Sequence, residues 1–145
     1  MEHPITTLEE DLLQMLTGNY KNYHYGVSLV QGYLDTQDLN TLLSSSKTIC
    51  DEISPYLHSK FDLNTLCKVL LADDKKEQAM IVATLNTNLF PEEISVYETL
   101  ANIQGLTNKK EDAIKSYKKA LEIDPDRADL KYLMEQFIDE LKAKN

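Results

Sequence analysis

Apolar residues along 94–127 recur at three- and four-residue spacing, once on each side of a short polar turn. Tyr97, Leu100 and Ala101 mark the first stripe, and Ala113, Tyr117, Ala120 and Leu121 mark the second. That period places one apolar stripe on each of two helices. Small residues at Ala101 and Ala113 let the backbones approach, with Tyr97 and Tyr117 filling the space beside them. The facing stripes predict Leu100 and Tyr117 buried against each other's helices. Asn108 falls in the turn, where its side chain tolerates the left-handed conformation. Asp124-Pro125 stops the second helix, because Pro disfavours helix in the residue before it. One such pair cannot cover its own stripes, so the chain has to supply neighbours.

The neighbours follow the same spacing. A shift of 34 residues carries Pro91 onto Pro125, Ala79 onto Ala113, Leu66 onto Leu100, Cys67 onto Ala101, and Asp74 onto the turn residue Asn108. Residues 60–93 therefore read as an earlier copy of the same hairpin, with an atypical second helix in which Ala83 stands for the aromatic and Asn86 for a small residue. Residues 26–54 predict a further hairpin: one helix through Val27, Leu29, Val30 and Tyr33, then another capped by Asp38 and running through Leu39, Leu42, Leu43, Ile49 and Cys50 to Ile53. Lys47 holds its aromatic position, so this hairpin is degenerate. Before it, GNYKNYHYG crowds Tyr20, Tyr23, His24 and Tyr25 into a predicted loop with rings on the core and hydroxyls in water. Residues 6–17 begin with Thr7 and Glu10 at capping-box spacing and carry Leu8, Leu12, Leu13 and Leu16 on one face. Residues 128–145 place Leu130, Leu133, Met134, Phe137 and Leu141 on one face and charge on the other, as a terminal helix closing an array requires.

An aromatic, then Leu-small, then Ala-x3-aromatic, then Pro is the pattern of the tetratricopeptide repeat, and 94–127 resembles it closely. The resemblance implies an all-α fold of stacked antiparallel helical hairpins with a C-terminal capping helix. It divides a single domain, 1–145, into N-terminal helices (1–59), a degenerate repeat (60–93), a repeat (94–127) and a cap (128–145). A narrower likeness covers about a third of the chain. Ala79, Leu85-Asn86, Leu89-Phe90-Pro91, Val96-Tyr97 with Leu100-Ala101, and the Ala113–Pro125 helix are similar to the C-terminal helical extension of some bacterial serine hydrolases. That likeness implies an accessory domain whose catalytic part is not in this chain.

Composition narrows the partner. The net charge is −9, and all of it lies in residues 1–107, where 15 acids face 6 bases; residues 108–145 carry 9 of each. An acidic body disfavours phosphate backbones, which need clustered Lys and Arg, and anionic lipid surfaces. Lys109-Lys110 and Lys118-Lys119 read as solvated helix faces. Cys50 and Cys67 sit in helical apolar patterns and read as small buried hydrophobes. The absence of a signal peptide or an apolar span makes a cytoplasmic location the default.

The chemistry sought is missing. Ser44-Ser45-Ser46 lacks the glycines of a nucleophile elbow. His3, His24 and His58 are scattered without a metal-ligand spacing, and no glycine-rich phosphate loop occurs. These absences predict no enzyme activity, no cofactor and no metal, with a small enzyme carrying an unrecognised site as the alternative. What remains is a partner surface. If the repeats stack, their first helices line the concave face, with Asn64, Thr65, Lys68, Glu98, Thr99 and Asn102 projecting from it. Such a face suits a peptide or a partner protein, with amides bonding a peptide backbone. The competing expectation is that the protein's own N-terminal helices fill it. Oligomeric state is left open.

Overall fold

The structure, a computed structural model, describes residues 23–57 and 59–144. The helix expected over 6–17 and the turn residue His58 lie outside them. Eight α-helices and one 3-10 turn follow in order: α1 (Tyr23–Thr36), α2 (Leu39–Ser44), α3 (Ser46–Ile53), the turn Ser54–Tyr56, α4 (Lys60–Ala72), α5 (Lys76–Leu89), α6 (Ile94–Leu106), α7 (Lys110–Ile123) and α8 (Ala128–Ala143). Among the described residues there is no strand, so the fold is all-α. Consecutive helices from α4 to α8 pack on one another, and the first helices α4 and α6 also touch.

The two hairpins, α4–α5 and α6–α7, are built by the same local chemistry. Asp74 and Asn108 both have positive φ, at 57° and 61°. Around each, two backbone bonds close the first helix. Lys75 N–H reaches Leu70 O at 2.8 Å and Asp74 N–H reaches Leu71 O at 3.1 Å; Lys109 and Asn108 repeat this on Gln104 and Gly105 at 2.8 and 3.2 Å. This is the Schellman ending of a helix, with Asp or Asn in the left-handed place glycine usually takes. The second helices end alike, as Phe90 N–H and Asp124 N–H bond back to Asn86 O and Ala120 O ahead of Pro91 and Pro125.

Packing divides at α6. Leu100 and Ile103 join the core built by α1 to α5, whereas Ala101 joins Ala113, Tyr117, Ala120 and Leu130 in a second core toward α8. Leu100 and Tyr117 are both buried, as the spacing predicted, but in different cores rather than against one another. The reason is angular. Leu100 and Ala101 are about 100° apart on the helix, so one faces the preceding hairpin and the other faces α7. Tyr117 stacks instead on Phe137 of α8, with centroids 6.1 Å apart. Phe137 lies over Gly105, where a Cβ would come within 2.7 Å of its Cζ.

In the first hairpin the unusual Asn86 is fully buried. Its amide donates to Lys60 O at 3.0 Å and to Asn64 Oδ1 at 3.1 Å, tying α5 to α4 where the second hairpin has Ala120. A buried amide has to be bonded in this way, since an unpaired one costs about 1–3 kcal/mol. Cys50 and Cys67 are buried and free. Burial pushes the Cys67 thiol up to about 12, so both behave as small apolar residues.

The N-terminal hairpin departs from the sequence reading in three ways. First, α1 begins at Tyr23, which puts Tyr25 on a helix rather than in a loop; its ring meets Tyr56 edge-on at 4.8 Å. Second, the helix expected from Asp38 to Ile53 breaks at Ser45. Ser44 Oγ bonds back to Asn40 O and Thr41 O, and serines that bond their own backbone weaken a helix. The cap at Asp38 is as expected, accepting from Thr41 N–H at 2.8 Å. Third, α2 and α3 pack on α5, where Cys50 Sγ donates to Leu85 O at 3.6 Å, so this hairpin does not continue the stacking of the later two.

Gly26 sets the seat of α1. A Cβ there would come 2.8 Å from Tyr56 O and 2.9 Å from Leu57 Cδ2. Gly26→Ala gains helix propensity of about 0.5–1 kcal/mol. It also drives a methyl into backbone, and overpacking costs about 1–3 kcal/mol. A net loss near 1 kcal/mol is expected in urea unfolding, and a variant as stable as the parent would show that the 3-10 turn yields freely.

Candidate functional site: the face of the first helices

Three helices share one register. α4, α6 and α8 begin 34 residues apart in equivalent positions, with Ile94 carried onto Ala128, Val96 onto Leu130 and Leu100 onto Met134. The side chains of one face correspond in threes. Phe61, Ser95 and Asp129 start it; Asn64, Glu98 and Tyr132 follow; then come Thr65, Thr99 and Leu133; and Lys68, Asn102 and Gln136 complete it. This register corrects the placing of Leu133. It was expected on the core stripe, but it is 39% exposed because it stands where Thr65 and Thr99 stand.

The sequence-derived candidates separate on this face. Asn64 is 8% exposed and serves the core through its bond from Asn86, which corrects the expectation that it projects from the concave face. Lys68 is exposed on α4 beside Thr65 and Val69. Glu98 is half-buried and accepts an ion pair from Arg127 at 2.7 Å. Asn102 is exposed one helical turn further along α6. Lys68 and Asn102 thus hold the same place on neighbouring first helices, as do Asn64 and Glu98.

Between α6 and α8 lies a groove of about 320 Å³, walled by Glu98, Thr99 and Asn102 on one side and Asp129, Leu130 and Leu133 on the other, with Tyr117 at its base. Sequence reasoning missed the α8 wall. The signal was present in the 34-residue shift, which extends from α6 into the terminal helix. Arg127 organises the end of the groove: its guanidinium bonds Asp129 through Nε and Nη2 at 3.0 and 2.9 Å while reaching Glu98. The bond from Arg127 holds the Asp129 carboxyl below the usual range. Burial, with Glu98 nearby, raises the Tyr117 phenol. Both groups therefore keep their charge state through neutral pH: Asp129 ionised, Tyr117 neutral.

Arg127 and Glu93 occupy equivalent positions, each preceding a first helix. Glu93 pairs with Lys60 at 2.6 Å. The two junctions are thus bridged by ion pairs of opposite sense.

Hairpins stacked in one register, with a shared side-chain face, define a helical-repeat protein. Residues 94–127 match the tetratricopeptide repeat family model, a class of repeat that in general serves protein–protein interaction. The chain matches no curated protein. No described helix is long and apolar enough to cross a membrane. Among the described residues no cluster of three or more His, Cys, Asp or Glu is placed to hold a metal ion.

Proposed function

We propose that this chain is a non-catalytic interaction or scaffolding module that binds a peptide or partner protein along the face of α4, α6 and α8. The observation that carries the reading is the register of that face. Lys68, Asn102 and Gln136 repeat at equivalent positions on the three first helices, and Asn102 lines a groove whose floor and walls mix amide, carboxylate and apolar groups. Exposed polar side chains on rigid helices bind a partner without disturbing their own packing. The cations of the face are few, with Arg127 already engaged by two carboxylates, which favours a polypeptide over a nucleic acid. Lys68 offers a local anchor for an acidic group, and Asn102 both donates and accepts toward a peptide backbone.

The test is the double variant Lys68→Ala, Asn102→Ala. Both residues are exposed, and such substitutions change stability by about 0.5 kcal/mol each. The melting temperature is expected to stay within a few degrees while partner capture, read by quantitative mass spectrometry of the co-purified proteins, falls. Lys118→Ala on α7 serves as the control. Undiminished capture by the double variant would move the binding face elsewhere.

A further inference from the structure

The groove between α6 and α8 holds a polar group that the fold does not use. Tyr117 is 4% exposed and lines the groove, yet its hydroxyl bonds none of the described residues. A buried phenol ordinarily finds a partner. The Tyr97 hydroxyl has one, donating to Pro91 O at 2.9 Å. An idle hydroxyl on a side chain this buried, at the floor of a groove, points to a ligand.

The same groove carries charge that nothing balances. Arg127 brings one positive charge to two carboxylates. Asp129 meets its Nε and Nη2 with both oxygens, whereas Glu98 gives only Oε1 to Nη1. One negative charge is left over, and Glu98 Oε2 bonds none of the described residues. No lysine or arginine lines the groove to offset it. Asn102 stands one turn beyond Glu98 on α6, on the same side of the helix. Its amide is also unbonded among the described residues.

We infer that this groove receives a lysine side chain of the partner polypeptide. Its ammonium would donate to Glu98 Oε2, Tyr117 Oη and Asn102 Oδ1, with its methylene stem on Leu130 and Leu133. This rests on the proposed function for the face and adds the chemistry of what the face selects.

The match is one of number, charge and shape. An ammonium has three donors and no acceptor, and the groove offers three acceptors. A lysine stem lies readily along apolar surface while its head stays polar. Arginine fits less well, because its planar fork of five donors asks for more acceptors than line the groove. A carboxylate would meet Glu98 and be repelled. An apolar side chain would cover the phenol and the amide without bonding either.

Selection from a phage library of random dodecapeptides on the immobilised full chain tests this. Peptides enriched by the parent are expected to share a lysine, and the Glu98→Gln chain is expected not to enrich it. For a fluorescein-labelled copy of an enriched peptide, Glu98→Gln is expected to raise Kd at least about tenfold, as loss of a bond to a charged group does. Tyr117→Phe keeps the ring and its stacking on Phe137 and removes only the idle hydroxyl. It is expected to raise Kd about two- to tenfold at an unchanged melting temperature, and replacing the peptide's lysine by norleucine is expected to abolish binding. Arginine enriched over lysine would overturn the inference, as would lysine enriched equally on Glu98→Gln, or Tyr117→Phe binding as the parent does. Any of these, with binding still lost in the Lys68/Asn102 variant, leaves the face standing and removes the lysine site. A library that yields no binder removes the face and the site together.

Discussion

Tyr117→Ala is expected to destabilise the protein by about 3–5 kcal/mol, the cost of truncating a buried aromatic. Tyr117 is 4% exposed and joins α6, α7 and α8 in one core. Its ring stacks on Phe137, and stacked pairs contribute about 0.5–1.5 kcal/mol beyond the area they bury. The neighbours have little freedom to fill the hole. Ala101, Ala113 and Ala120 are too small to move in, and Phe137 is already held over Gly105. Urea or thermal unfolding reads the loss directly. A loss under about 1 kcal/mol would mean that α8 collapses onto α7 and that the second core is soft.

Removing residues 128–145 is expected to cost at least about 3 kcal/mol and to cause self-association. Leu130 is 3% exposed, and Met134 and Phe137 pack against the same core. Each fully buried side chain of this kind contributes about 1.5–3 kcal/mol. The deletion would bare Tyr117, Ala120 and Leu121 together, and a contiguous apolar patch promotes association. Size-exclusion chromatography with light scattering, alongside melting curves, would show both effects. A monomeric truncation as stable as the parent would end the closing role of α8. That role has a visible basis on the helix's other side. Where α6 offers Ala101 to a following helix, α8 has exposed Glu135, and where α6 has Tyr97 it has Lys131. Charge of that kind disfavours the seating of a further hairpin there.

How far the sequence spoke depended on whether a feature was local or paired. Asp74, Asn108, Pro91, Pro125 and the Asp38 cap act through their own backbone neighbourhood, so a single position declares them. The 34-residue shift made the second hairpin's stacking on the first legible as well. Asn64 was misjudged because its role depends on Asn86, 22 residues away, and a polar residue on a first helix looks the same whether it greets a partner or braces the core. Leu133 was misjudged for the opposite reason. Its spacing fits an apolar stripe, and only the register with Thr65 and Thr99 shows that it faces outward. The break at Ser45 hung on serines that can bond forward or back, a choice settled by the packing of α2 and α3 on α5.

The opposed junction pairs have a consequence for assembly. Glu93 meets Lys60 at one joint, and Arg127 meets Glu98 at the next. If a second copy laid its α6 against the hairpin that α8 now covers, Glu93 would confront Glu98. If α8 slipped back onto the first hairpin, Arg127 would confront Lys60. Like charges at that range repel, whereas the native order attracts at both joints. The hairpins are in this sense numbered by charge. At each joint the charge favours the native successor over the other hairpin's by about 0–1 kcal/mol, the worth of a pair this exposed.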